Sequence, residues 1–311
     1  MRALNPAAAR FAADWAQVWP GSGPVGLAVS GGPDSIALLV LACDVLGPAQ
    51  IAVATVDHGL RRQSAAEAAL VAQLCSARGV AHATLTLTLA AGTAVQERAR
   101  NARYRALEYW AHNRGLGALV TAHHADDQAE TLIMRMNRGA GLRGLAGMRS
   151  SAVVPGGALP LLRPLLGWRR GDLAAVVAQA GVATVDDPSN RAMQFERVRV
   201  RAGLAEAHWI DPAGMAATAG HLAQADAALD WAADRIVVQG LAGDPDLPRA
   251  LALRVLERVI AQTGTSVPRG RDLARWHDRL AAGQVATLAG VRGDGRARPW
   301  RFSAVRPHAP R

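Results

Sequence analysis

The stretch Ser30-Gly31-Gly32-Pro33-Asp34-Ser35 has residue types and spacing suited to holding a phosphate chain. Two consecutive glycines let the backbone approach a ligand and take positive φ, so several N–H groups can converge on one anion while a following helix adds its dipole. A second cluster, His123-His124-Ala125-Asp126-Asp127, supplies carboxylates that suit Mg²⁺, which prefers oxygen ligands and keeps phosphates as partners. Zinc fits less well, because adjacent His and adjacent Asp do not converge tetrahedrally without further ligands and neither thiol is near in sequence. In Glu97-Arg98-Ala99-Arg100-Asn101-Ala102-Arg103-Tyr104-Arg105, Arg100 and Arg103 lie one helical turn apart and can grip one phosphate or carboxylate together. Arg61-Arg62 and Arg197-Arg199-Arg201 add basic runs, the last with alternate arginines that could track a nucleic-acid backbone. Each cluster also has a plain reading: a strand-to-helix turn capped by Asp34 or Ser35, a helix cap at Asp126 or Asp127, and solvated basic faces.

Strand-like and helix-like segments must position these groups. Apolar patterning predicts strands at 25–30, 51–56, 83–88 and 118–122, and helices at 34–46, 63–78, 94–114 and 126–138, after a helical lead at 7–19. Such alternation implies right-handed crossovers and a parallel sheet with helices on both faces, an α/β fold. Ligands of open sheets of this kind sit beyond the carboxyl ends of the strands. The polar clusters follow strand ends, Asp57-His58-Gly59-Leu60-Arg61-Arg62 included, so positions remote in sequence should meet at one rim. Residues 139–168 are Gly- and Pro-rich, with a short hairpin expected around Pro155-Gly156-Gly157. A helix at 169–180, the segment Asp186-Asp187-Pro188-Ser189-Asn190 and a helical basic run follow. From about 212 the pattern reads as helices (212–240, 247–262, 269–282) with a strand-like tail at 285–305, which sets a first domain at 1–210 and a small, mainly helical one at 211–311. Trp231, Trp276 and Trp300 read as core residues of the second.

The length and 50% hydrophobic residues allow real cores. No apolar run reaches the roughly 18 residues of a membrane span, and the start lacks the apolar core of a signal peptide, so a cytoplasmic protein is expected. Cys43 and Cys75 sit in helix-like apolar patterns and read as buried, reduced thiols. A formal charge of +10 suggests a polyanionic partner, since arginine forks suit phosphates. All 35 basic residues are arginine. The Gly-Lys-Ser/Thr phosphate loop is therefore excluded, as is Schiff-base chemistry on a side chain of the protein.

The Ser-Gly-Gly-x-Asp-Ser string resembles the PP-loop of the N-type ATP pyrophosphatases, whose fold is that of the adenine nucleotide alpha hydrolases. The wider set is more specific: Ser30–Ser35, Val56-Asp-His-Gly-Leu-Arg61, Ala99-Arg-Asn-Ala-Arg-Tyr104, His123-His-Ala-Asp-Asp-Gln-Ala-Glu-Thr131, Arg138-Gly-Ala-Gly-Leu-Arg-Gly-Leu145, Arg163-Pro-Leu-Leu166 and Asp187-Pro-Ser-Asn190 with the arginine run after it. Together, over residues 30–201, they resemble the tRNA(Ile)-lysidine synthetase family. That resemblance implies ATP-dependent ligation of free L-lysine to C2 of the wobble cytidine in the CAU anticodon of an isoleucine tRNA. An adenylated cytidine is the intermediate, and AMP and pyrophosphate are released. It implies ATP bound through Ser30, Gly31, Gly32, Pro33, Asp34, Ser35, Asp57, His58 and Arg61, and Mg²⁺ held by Asp34 and Asp127. It puts Asp34, Arg103, His123 and Asp127 at the reacting centre and Arg61, Arg100, Arg197, Arg199 and Arg201 against the tRNA. Partners would be that tRNA and lysine, with no membrane and with room for a homodimer.

Two other readings remain at this stage. One keeps ATP pyrophosphatase chemistry but changes the acceptor, as in tRNA thiolation, although no Cys-x-x-Cys is present. The other is a non-catalytic basic RNA-binding protein, against which stand Asp34, His123 and Asp127, residues that RNA binding alone does not require.

Overall fold

The structure is a computed structural model and describes residues 5–57, 64–87, 95–185 and 192–305. The chain divides into two compact units, Met1–Leu222 and Ala223–Arg311. In the first, α1 (Pro6–Val18) begins where Asn5 Oδ1 accepts the Ala8 amide at 2.7 Å and Pro6 takes the first helical turn. There follow β1 (Val25–Ala28), α2 (Pro33–Leu46), β2 (Ile51–Asp57), α3 (Ser64–Ala77), β3 (Ala81–Thr86), α4 (Val95–Asn113), β4 (Leu119–Val120) and α5 (Ala125–Met136). A single-turn α6 (Leu142–Leu145) leads to β5 (Ser151–Val153), β6 (Pro160–Leu162), α7 (Arg170–Ala180) and α8 (Glu196–Glu206).

The strands form one sheet in the order β3-β2-β1-β4-β6-β5. Every pairing is parallel except that of β5 with β6, so an antiparallel edge hairpin closes an otherwise parallel sheet. The hairpin turn lies at the Pro-Gly-Gly, where Glu108 of α4 accepts the Ala158 and Leu159 amides at 2.6 and 2.9 Å. The sequence pattern does not reveal that β6 also runs parallel to β4, with Leu119 opposite Leu161. Strand β4 is two residues long, yet Thr121 continues its ladder by donating to Leu162 O at 3.0 Å.

Alternation along β2 feeds two cores. Ile51 and Val53 join Leu27, the body of α2 and residues of α1, α3 and α7 on one face, whereas Ala52 and Ala54 join Tyr104, Leu107 and Trp110 of α4 on the other. Gly26 is small for a reason: a Cβ there would stand 2.6 Å from the Trp110 ring. Helix α2 is apolar nearly all round because it is buried between the sheet and its neighbours, Ser35 to Ala42 being buried throughout. Cys75 is fully buried, whereas Cys43 is only half-buried; both are free thiols. Burial pushes the Cys75 thiol up to about 12, a value that leaves no reactive thiolate near neutral pH.

Helix α9 (Pro212–Val238) contains the division between the units. The second unit continues with α10 (Arg249–Thr263), α11 (Gly270–Ala281) and an antiparallel sheet β7-β8-β9 (Val285–Leu288, Val291–Asp294, Arg301–Ala304). This sheet occupies the strand-like tail expected at 285–305, split into three short antiparallel strands. Trp276 and Trp300 belong to the unit's core with Leu256, Leu273 and Val291, and Trp276 donates to Ala286 O at 3.0 Å. Trp231 does not: it is 63% exposed, under Arg235 at 5.1 Å. Its helix instead turns Asp226, Asp230 and Asp234 toward Arg254 and Arg258 of α10, a ladder at the i, i+4 spacing. Among the described residues, no helix is long and apolar enough to cross a membrane.

Candidate active site

The carboxyl ends of β1 and β4 and the loops after them frame a cleft of about 860 Å³ in the first unit. Its walls include Ser30, Asp34, Arg103, His123, Asp127 and Arg197. The Ser-Gly-Gly turn is held from within: Ser35 Oγ accepts the Ser30 amide at 3.2 Å, lies 3.2 Å from Ser30 Oγ and donates to Gly32 O at 2.9 Å. Gly31 takes φ +91°, a left-handed conformation costly for other residues, and its carbonyl accepts the Val185 amide at 2.9 Å. Gly32 caps α2 and Pro33 opens it, so the positive end of a buried helix faces the turn. This is an anion cradle.

Beside the cradle lies a compact charge array. His124, 1% exposed, places Nε2 3.3 Å from Asp34 Oδ2 and 3.5 Å from Asp127 Oδ2, and Nδ1 3.4 Å from Asp126 Oδ2. Burial disfavours its charge, but the contacts with Asp126 and Asp34 and the charges of Asp127 and Asp34 outweigh it, raising the pKa to about 9. The ring is therefore an imidazolium at neutral pH. Against burial, His124, the Arg170 amide and Arg169 hold Asp126 well below the usual carboxylate range, and His124, Arg197 and His123 likewise lower Asp127. Asp127 Oδ2 also accepts the His124 amide at 3.2 Å, closing the start of α5. Asp34 Oδ1 is buried with no hydrogen-bond partner.

His123 differs in character from its neighbour. Burial lowers its pKa to about 3, and Arg163, Arg103 and Arg197 reinforce the shift against the opposing charge of Asp127. The ring is a neutral imidazole whose Nδ1 meets Thr121 Oγ1 at 2.8 Å. Arg100 and Arg103 stand over the buried Tyr104 ring at 5.2 and 5.3 Å, so α4 presents both to the cleft from one face.

The basic run of α8 does not act as one row. Arg197 and Arg201, four residues apart on a helix, share a face: Arg197 donates to Asp127 Oδ1 at 2.8 Å and Glu130 Oε2 at 2.7 Å, and Arg201 to Glu130 Oε1 at 2.6 Å. Arg199 points elsewhere, to the Met193 and Gln194 carbonyls at 3.0 and 3.1 Å. Asp57 ends β2 and is not among the residues lining the cleft. His58 and Arg61 lie outside the described residues, as does the Asp187-Pro-Ser-Asn190 segment. Sequence reasoning passed over Glu130, buried under Arg197 and Arg201, and the central role of His124. A signal for the latter existed, the cap-to-third-position spacing of His124 and Asp127 at the start of α5.

Asp34 and Asp127 present two carboxylates beside the anion cradle, one with an unpartnered buried oxygen, a donor set that suits Mg²⁺ shared with phosphates. Among the described residues, no three His, Cys, Asp or Glu side chains group to hold a metal by themselves.

A parallel sheet whose first strand runs through a glycine turn into a buried helix, with this array at the rim, defines a nucleotide-binding domain of the PP-loop class. Residues 7–208 match the PP-loop domain family. A tRNA(Ile)-lysidine synthase of Novosphingobium aromaticivorans is 59% identical, covering 98% of this chain and 96% of its own length. That of Zymomonas mobilis subsp. mobilis is 43% identical over 93% of this chain and 90% of its own. The chain belongs to the tRNA(Ile)-lysidine synthase family. In fold it is similar to the U34-tRNA thiolase NcsA of Methanococcus maripaludis, with TM-score 0.56 at 14% identity over 70% of this chain and 77% of that one.

Proposed function

We propose that this protein ligates free L-lysine to C2 of the wobble cytidine in the CAU anticodon of an isoleucine tRNA, using ATP. In the first step the cytosine C2 oxygen attacks the α-phosphorus of ATP; a P–O bond forms, the α–β bridge breaks and pyrophosphate leaves. In the second, the lysine ε-nitrogen attacks C2, the C–O bond breaks, AMP leaves and the amine gives up a proton. Adenylation is needed because the C2 oxygen of a conjugated carbonyl is a poor leaving group.

The observation that carries this reading is the convergence of the anion cradle, Asp34, Asp127, His123 and Arg103 on one cleft in a chain of this family. The cradle amides and the α2 dipole suit the pyrophosphate end of ATP. Asp34 and Asp127 would hold Mg²⁺, which when bound offsets phosphate charge. Arg103, with Arg100, serves the charge that develops on the phosphates in transit. His123, neutral and already engaged with Thr121, suits a hydrogen bond to the nucleotide or acceptance of a proton. The thiolation alternative lacks a paired-cysteine carrier: Cys75 is buried, and the sequence holds no Cys-x-x-Cys. We assign the basic faces of α4 and α8 and the second unit, Ala223–Arg311, to the tRNA.

Incubation with ATP, lysine and transcripts of the CAU isoleucine tRNA tests the reading. AMP and pyrophosphate should form only with that RNA, and its mass should rise by lysine less water. Release of AMP indifferent to the RNA overturns the reading.

A further inference from the structure

We propose that Trp209 and the hollow beside it bind one unpaired base of the tRNA, a neighbour of the wobble cytidine, while the cytidine itself enters the cleft. The proposal rests on the reading given above, in which the substrate is a tRNA.

Three features carry it. Trp209, on the connection between α8 and α9, is 86% exposed, yet the turn that carries it is fixed without its side chain. Ala207 O accepts the Ile210 amide at 2.9 Å, and Asp211 accepts the Ala213 and Gly214 amides at 3.0 and 2.9 Å. The fold therefore needs no large ring at this position, and an indole left in water offers a stacking face. Next, Trp209 borders a hollow of about 460 Å³ whose walls include Arg170 and Arg201. The same two arginines line the active-site cleft, so the hollow adjoins the cleft across one shared wall. Finally, the charges of the hollow balance: Arg169 meets Asp126 and Asp211 at 3.5 and 3.1 Å, and Glu130 takes Arg170 and Arg201 at 3.7 and 2.6 Å. Each of these arginines is already matched by a carboxylate, which disfavours a phosphate. A neutral base instead finds an aromatic face with both donors and acceptors for its edge, the way unpaired loop bases of RNA are recognised.

The test is a double-mutant cycle between Trp209 and the RNA. Filter binding of the whole CAU isoleucine tRNA is measured without ATP or lysine, for the wild type and Trp209→Ala, with one anticodon-loop nucleotide beside the cytidine made abasic at a time. At one position the abasic tRNA should bind the wild type about 10- to 100-fold more weakly, the scale of one lost base–aromatic stack. Trp209→Ala should be as weak on the intact tRNA and lose nothing further on that abasic one, and Trp209→Phe, which keeps a ring, should recover most of the affinity. Trp209→Leu, which keeps apolar bulk without an aromatic face, provides the same comparison if the alanine variant melts early. Losses that multiply at every position, or an alanine variant that binds the intact tRNA like the wild type, overturn the inference alone. A wild-type protein that retains no tRNA overturns the functional reading and this inference with it.

Discussion

Arg197 spans Asp127 and Glu130, with one guanidinium nitrogen 2.8 Å from the first carboxylate and another 2.7 Å from the second. The two acids lie one turn apart on α5, so this single fork ties α8 to the face of α5 that borders the cleft. Glu130 has a side chain 2% exposed and is also gripped by Arg201 at 2.6 Å, whereas the arginines keep about a third of their surface in water.

That asymmetry decides which change costs more. In Glu130→Gln both arginines can turn to solvent, and about 1–2 kcal/mol should be lost. In the double variant R197A/R201A the carboxylate remains buried with, among the described residues, Arg170 at 3.7 Å as its remaining cation, and about 3–5 kcal/mol should be lost. Urea denaturation orders the two; a Gln variant less stable than the double variant would show that the arginines, not the acid, need the pairing.

The two loop glycines should answer differently to alanine. Gly31 has φ +91°, and its new Cβ would meet Val185 Cγ2 at 3.1 Å, so Gly31→Ala should cost about 1–2 kcal/mol in stability as well as ATP affinity. Gly32 has φ −68°, with Ser30 Oγ the nearest atom to a new Cβ at 3.7 Å. Gly32→Ala should therefore stay within about 0.5 kcal/mol of the wild type and act only where a ligand must approach the backbone. Thermal melts beside ATP titrations distinguish them, and equal destabilisation in both refutes the assignment.

Much of this was legible beforehand because it depends on local pattern. Alternating apolar runs and the Ser-Gly-Gly turn are enough to predict a parallel sheet and a rim of polar clusters. What escaped depends on direction. His123 and His124 are neighbours of one type, yet one ends as a neutral ring on Thr121 and the other as a buried cation among three carboxylates, since the chain passes there from strand to helix. Arg197, Arg199 and Arg201 alternate in sequence, but the helical period sends the middle one away. Trp231 looked like a core residue by type alone; only the spacing of the aspartate ladder on α9 turns it outward.

Asp34 is the carboxylate whose Oδ1 is buried without a partner, so an amide there removes charge while keeping shape. Asp34→Asn should lower pyrophosphate release by about 10²- to 10³-fold, the scale of losing one preorganised electrostatic group, with tRNA retention on filters unchanged. A rate within about twofold of wild type would remove Asp34 from the reacting centre.

The imidazolium of His124 makes stability depend on pH in a definite window. Its folded pKa is raised from 6.5 to about 9, so its contribution is fully present below pH 6.5, shrinks as pH rises and is gone above about 9. With the group 1% exposed, the shift corresponds to about 3 kcal/mol. Asp126 has the opposite sign: held below the usual carboxylate range, it contributes at neutral pH and loses that contribution as pH falls. Cys75, raised to about 12, adds an alkaline decline of its own, because the unfolded thiol ionises first. The difference between wild type and His124→Asn isolates the histidine: the two urea midpoints should converge as pH rises from 6.5 to 9, with the variant losing the slope. Parallel curves across that window would mean that His124 is not charged in the folded protein.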